Sequence, residues 1–224
     1  MAERVAAVTD RSLSEYGAEV AGCVRCALAQ TRTQVVFGSG SPTAELMFVG
    51  EAPGFHEDKQ GVPFVGAAGK LLSKLLDGIG ISREDVYVCN VIKCRPPGNR
   101  NPLPEEIEAC EGHLFRQIEL IQPALVATLG NFSTKLLSGK QAGITQVHGR
   151  VQDVVLGGRP VRLYPIFHPA AALYTPRMLQ VLEEDFSRLP ELLGHVPIKG
   201  TPIEVAPAEP EQPPTGPIEQ LGLF

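Results

Sequence analysis

Apolar residues fall along this chain in two alternating rhythms. Four short, nearly continuous apolar runs have the length of buried strands: Glu45–Gly50, the stretch from Val86 to Ile92, Ala124–Leu129 and Val161–Phe167. Between them the apolar positions recur at helical spacing. Residues 11–22 predict a short helix ending at Gly22, and Ala67–Leu76 one with Leu71, Leu72, Leu75 and Leu76 on its buried side. Pro104, Glu105 and Glu106 open a helix that runs to Ile121, with Ile107, Leu114, Ile118 and Ile121 roughly on one stripe. Proline has no N–H to leave unpaired at a first helical position, and carboxylates suit the positive end of the helix dipole. Asn131–Leu137 and about Pro176–Leu193 complete the helices, Gln146–Val155 reads as a hairpin arm, and residues 51–66 as a polar, Gly-rich loop. Strands alternating with helices predict a three-layer α/β/α sandwich around a central, mainly parallel four-stranded sheet.

In such sheets ligands bind outside the carboxyl ends of the strands. Three of the four strands end on residues able to do chemistry, namely Glu51, Asn90 and His168, and all three project to the same edge. One polar residue at a strand end is ordinarily a turn or cap; three at one edge point to a site.

Composition refines this picture. The chain of 224 residues suits one globular domain with an appendage, and it contains no apolar run of the length (about 18 residues) that spans a membrane. With no secretory signal at its N-terminus, it is expected to be cytoplasmic and a monomer. The formal net charge of −5 disfavours a nucleic-acid partner, but residues 196–224 account for −3 of it, which leaves −2 on the body. Binding of nucleic acid would then depend on local basic groups. Seven of the 20 prolines fall in those same 29 residues. The division expected is therefore a domain over 1–195, a Pro-rich linker over 196–219 and an apolar terminal peptide over 220–224.

Five cysteines in a reducing compartment argue for metal binding rather than a disulfide framework. Cys23 and Cys26 form a C-x-x-C pair, and Cys94 and Cys110 could close a four-thiolate site. Their wide spacing is poor for a zinc ribbon and acceptable for an iron–sulfur cluster, whose ligands need only converge in space. A C-x-x-C redox pair is the competing reading, but that motif normally opens a helix after a strand. Cys89, inside a strand, reads as a small buried apolar residue. The Gly-rich stretch Gly61–Lys70 does not meet the phosphate-loop spacing, since Leu71 follows Lys70.

Gly50-Glu-Ala-Pro-Gly54, the strand ending in Asn90, Lys93-Cys-Arg-Pro-Pro-Gly-Asn-Arg-Asn-Pro102 and His168-Pro-Ala-Ala171 together resemble the family 4, iron–sulfur uracil-DNA glycosylases, over roughly Cys23 to Leu193. The resemblance implies hydrolysis of the bond joining uracil to deoxyribose in DNA, with a 4Fe-4S cluster on Cys23, Cys26, Cys94 and Cys110. It implies Glu51, Asn90 and His168 as catalytic residues and Gly50, Ala52, Pro53, Glu57 and Phe64 as further contacts to the base. Phe64 would stack on a base flipped out of the duplex. The Asn90 amide would donate to uracil O4 and accept from N3–H, a pattern that cytosine inverts. That requires a second hydrogen bond to hold the amide. His168 would donate to O2 as negative charge grows there, and Glu57 would crowd the 5-position against thymine.

In family 1 enzymes the third position of the first motif is an aspartate that positions water. Here it is Ala52, which leaves Glu51 as the nearest carboxylate. Lys93, Arg95, Arg100 and Arg177 are candidates for phosphates, and Leu173 or Tyr174 for a wedge into the duplex. Gln220-Leu-Gly-Leu-Phe224, through Gln220, Leu221, Leu223 and Phe224, resembles the peptide by which bacterial repair proteins bind the sliding clamp. Two other readings compete: a relative that binds or captures uracil DNA without hydrolysis, and a non-catalytic iron–sulfur or zinc module on the clamp. The non-hydrolytic relatives carry a histidine-bearing basic insertion, and Pro96–Pro102 contains no histidine.

Overall fold

In the computed structural model, which describes residues 12–194, six strands form one sheet: β1 (Ser39–Gly40), β2 (Leu46–Gly50), β3 (Tyr87–Asn90), β4 (Leu125–Leu129), β5 (Gln152–Leu156) and β6 (Arg159–Ile166). The order is β1-β3-β2-β4-β6-β5. The inner four strands are parallel, as the alternation of elements requires, and the two outer strands pair antiparallel. The sheet is thus two strands wider than expected. A two-residue strand such as β1 carries no periodicity, and β5 is the second half of the segment read as a hairpin arm. The linker and the terminal peptide, with the boundary at 195, lie outside the described residues.

Alternation along β2 splits the core into two layers. Leu46 and Phe48 face a cluster supplied by α3 (Ala67–Gly78), α8 (Arg177–Ser187) and α9 (Leu189–Leu192), where Leu72, Leu76, Leu182, Phe186 and Leu189 are buried. Met47 and Val49 face the opposite cluster, built on α4 (Pro104–Ile121) with support from α1 (Leu13–Ala21) and α5 (Asn131–Ser138). The helix predicted from Pro104 to Ile121 forms over that span. Arg100 and the Leu103 N–H both bond the Glu106 carboxylate at its N-terminus, which holds that carboxyl below its usual range.

Three elements escape the periodicity. Phe55–Gln60 is a helix, α2, where a loop was expected. Only Asp58 is buried in it, so it has no apolar stripe; its signals are acidic residues in the first turn and Gly61 in the left-handed conformation after the last. Ile144–Val147 (α6) and Ala170–Tyr174 (α7) are each about one turn long. The final helix breaks at Arg188, because Pro190 cannot donate back into a continuing helix.

One charged residue is placed differently from expectation. Lys93 was a phosphate candidate but is only 1% exposed. Its Nζ donates to the Asn90 carbonyl at 2.7 Å and to Gln117 Oε1 at 2.5 Å. Gln117 Nε2 in turn donates to the Phe37 carbonyl and to the Tyr87 hydroxyl. A buried polar side chain needs such partners, and Lys93 has them inside the protein, where burial keeps it out of reach of DNA.

Candidate active site and cysteine pocket

The carboxyl edge of the parallel strands opens into a cleft of about 540 Å³, a size that admits a nucleobase with part of its sugar. Glu51, Ala52, Pro53 and Gly54 line it from the end of β2, Asn90 from β3, Gly130 and Asn131 from β4, and His168 from β6. The edge rule therefore holds for all four inner strands. The end of β4 carries a signal that was passed over, because a Gly-Asn pair looks like a simple turn. Gly130 has φ +92, and its bare Cα lets His168 approach: a Cβ there would stand 3.2 Å from the His168 Cβ. The cleft also takes Lys135 from α5, on no sequence signal beyond its place one turn after Asn131.

Gly50 and Asn90 are register partners on adjacent parallel strands. A Cβ on Gly50 would overlap Asn90 Oδ1 and come within 2.7 Å of the Phe64 ring. Glycine here thus lets the amide and the aromatic ring converge over bare backbone. The Phe64 ring stacks on His168 with centroids 5.6 Å apart and planes at 29°. The hydrogen bond expected to hold the Asn90 amide is not found among the described residues. The Lys93 bond goes to the Asn90 backbone carbonyl, so the strand end is fixed by hydrogen bonding and the side chain by packing.

His168 Nδ1 accepts from the Ala170 N–H at 3.2 Å. That places the proton of the neutral ring on Nε2, as a donor. Burial lowers its pKa to about 4, against a small opposing pull from Glu57. What surface the ring retains is pocket wall. The two carboxylates of the cleft differ. Glu57 Oε1 accepts from Val65 N and Gly66 N at 2.9 and 3.0 Å, so it secures the Phe64 loop, which the sequence reading did not anticipate. Glu51 has no side-chain hydrogen bond among the described residues, and burial raises its pKa.

Around the rim, Arg95 bonds Asn99 and lies 5.1 Å from the Phe55 ring centroid, while Lys59 lies 4.4 Å from the same ring. Arg100 is committed to Glu106 but remains 39% exposed. Arg177 is exposed. Of the two wedge candidates, Leu173 packs on the core and Tyr174 points outward at 70% exposure.

On the far side of the Asn90–Cys94 segment, Cys23, Cys26, Cys94 and Cys110 line one small pocket, together with Arg25, Arg32, Lys93 and His113. Cys89 is fully buried and not part of that lining. Each side of the pocket offers N–H groups to sulfur. Arg32 Nη1 donates to Cys94 Sγ at 3.5 Å and the Lys93 N–H to Cys110 Sγ at 3.3 Å. His113 sits between the Tyr16 hydroxyl at Nδ1 (2.6 Å) and Cys23 Sγ at Nε2 (3.4 Å). Burial pushes the Cys94 thiol up to about 11, with Arg32 opposing, and raises that of Cys110. Among the described residues no three His, Cys, Asp or Glu side chains are grouped for a single metal ion; what the four thiols share is the pocket.

A sequence model of the Uracil DNA glycosylase superfamily matches residues 37–189. The chain is 46% identical over 187 residues to a type-4 uracil-DNA glycosylase of Archaeoglobus fulgidus, covering 82% of this chain and 94% of that one. It is 48% identical to type-4 enzymes of Sulfurisphaera tokodaii, over 81% of this chain and 84% of the relative, and of Saccharolobus solfataricus, over 80% and 86%.

The His168 geometry sets a titration. The ordinary histidine value is 6.5, and the folded value is about 4. Between these the unfolded chain binds a proton that the folded one refuses, so stability is fully present above pH about 6.5 and falls as pH drops towards about 4. Ring ¹⁵N NMR is expected to show His168 neutral with its proton on Nε2 at pH 6 and protonating only near 4. A midpoint near 6.5 would refute the assignment.

Proposed function

The chain belongs to the uracil-DNA glycosylase superfamily, in its type-4 branch, and from that membership we propose that it flips uracil out of DNA and hydrolyses the N-glycosidic bond to leave an abasic site. One juxtaposition carries the reading: Asn90 and Phe64 converge over the bare Cα of Gly50, Phe64 stacks on His168, and all three side chains line the cleft. Phe64 offers a flat face to an extruded base. Asn90 reads its O4 and N3–H edge, and a cytosine presented there would leave both amide groups unpaired, a mismatch that can discriminate by about 10⁴–10⁵. As the bond to C1′ breaks, its electron pair moves into the uracil ring and charge grows on O2. The Nε2–H of neutral His168 donates to that oxygen.

Water adds to C1′ of the cation-like sugar, and the proton it loses ends on the departing uracil anion. Of the two carboxylates in the cleft, Glu57 is tied to backbone N–H groups, so Glu51 is the one free to orient the water and to stabilise positive charge on the sugar. Glu57 also faces the cleft, where it excludes a 5-methyl group. Arg95, Arg100 and Arg177 hold phosphates, and Tyr174 rather than Leu173 enters the duplex.

Cys23, Cys26, Cys94 and Cys110 would hold the 4Fe-4S cluster. Their chemistry fits: four thiols around one pocket, with N–H donors to two of the sulfurs, His113 Nε2 beside a third, and the cationic side chains Arg25 and Arg32 beside them. To hold iron the four would bind as thiolates, their protons released to solvent. The cluster's contribution is structural, since its ligands Cys94 and Cys110 bracket the loop that faces DNA. The protein works in the cytoplasm as a monomer, attached to the sliding clamp through Gln220–Phe224.

Incubation with uracil-containing single- and double-stranded DNA is expected to release free uracil and leave alkali-labile sites, and His168→Ala to lower kcat by about 10²–10³. No uracil release by the unaltered protein would overturn the proposal. Cys94→Ala should lose bound iron and its visible absorbance while Cys89→Ala keeps both; equal loss would mean that the ligands are misassigned. Deleting Gln220–Phe224 should abolish binding to a purified clamp and leave uracil release from free oligonucleotides unchanged. Loss of both together would sink the clamp assignment.

A further inference from the structure

The loop bearing Phe64 is held at three peptide units, and one of the side chains that hold it lies outside the cleft lining. Phe64 has φ +56, the left-handed region, which a bulky residue keeps only where its surroundings enforce it. Downstream, the N–H groups of Val65 and Gly66 both donate to Glu57. The Phe64 carbonyl lies against Gly69 in α3, where a Cβ would overlap it. Upstream, Arg83 Nη2 donates to the Pro63 carbonyl at 3.0 Å.

Arg83 sits in the turn between α3 and β3, is half-buried, and lines no part of the cleft. Its Nη1 is buried without a partner, the one such side-chain atom among the described residues. Leaving a guanidinium nitrogen unpaired is costly. A side chain needed only for packing could be apolar here, so the arginine is accounted for by its bond to Pro63.

We propose that Arg83 is a positioning residue for base recognition: by fixing the Pro63 peptide it sets the backbone of Phe64, and so the direction of the ring over Gly50 and Asn90. The inference rests on the reading of Phe64 as the stacking platform. Glu57 and Gly69 fix the loop on its far side, and Arg83 fixes the side on which the chain arrives. Without it the Pro63–Phe64 peptide can rotate, and the ring leaves the base plane while Asn90 and His168 stay in place. The effect therefore falls on binding of the base more than on the chemical step.

The test is a double-variant cycle read by inhibition with free uracil, alongside KM and kcat on uracil-containing oligonucleotides. Phe64→Ala should weaken uracil inhibition on the order of tenfold, the scale of one aromatic–base stack. Arg83→Met should weaken it by a similar factor and raise KM, with kcat changed less than about threefold. In the Phe64→Ala background Arg83→Met should add less than about twofold, because the group it positions is gone. Bound iron and thermal unfolding report whether each variant folds. If Arg83→Met does not fold, Arg83→Gln, too short to reach Pro63, carries the same cycle. If Phe64→Ala leaves uracil inhibition unchanged, the stacking reading fails and the inference with it. If Phe64→Ala weakens inhibition but the Arg83 variants do not, or their effect adds in full to that of Phe64→Ala, the positioning role alone is overturned.

Discussion

A lysine nitrogen with almost no access to water must replace its hydration with fixed dipoles, and Lys93 draws them from separate parts of the chain. Its Nζ holds the Asn90 carbonyl at the end of β3 and Gln117 on α4; its own N–H reaches Cys110, and its carbonyl accepts from Val36. Gln117 passes the connection on to Tyr87 and Phe37. Strand end, long helix, cysteine pocket and the segment before β1 are thus tied at one residue. The Asn90 side chain is precise because the backbone beneath it is held on the side away from the cleft.

The same logic governs charge in the cleft. His168 is held neutral and Glu51 is pushed towards its neutral form, both by burial. Burial disfavours the charged form of each, at a cost to folding that site residues commonly carry. The backbone N–H of Ala170 decides which histidine nitrogen keeps the proton, and the loop N–H groups of Val65 and Gly66 decide which carboxylate is occupied. Side-chain chemistry in this cleft is set largely by main-chain donors.

The sequence exposes some of this and hides the rest for identifiable reasons. The four inner strands and the helix from Pro104 to Ile121 follow from apolar periodicity and a proline–glutamate start. Three of the four strand-end sites follow from the carboxyl-edge rule, and Gly130–Asn131 follows equally once the rule is applied to β4. The spacing of the cysteines only allows them to converge and the family resemblance implies it; all four share a pocket. Lys93 is misread because lysine is normally solvated, and only the tertiary fold shows Gln117 beside it. The loop-holding roles of Glu57 and Arg83 are illegible because hydrogen bonds to loop backbone, 8 and 20 residues away, leave no pattern in composition or spacing. The helix α2 is missed because it buries little and so has no stripe to read.

Gly50 carries one more consequence. At that point Asn90 and Phe64 pack directly against main chain, and the space beside it is already shared by the two. Backbone cannot be cut back by substitution, and any side chain added there displaces the amide or the ring. Evolution or engineering towards a larger or differently shaped base therefore has no route through this position. It must act on the walls, where each change also disturbs the reading of the base or the stack that holds it. Narrow specificity is in that sense built into the geometry of two adjacent strand ends.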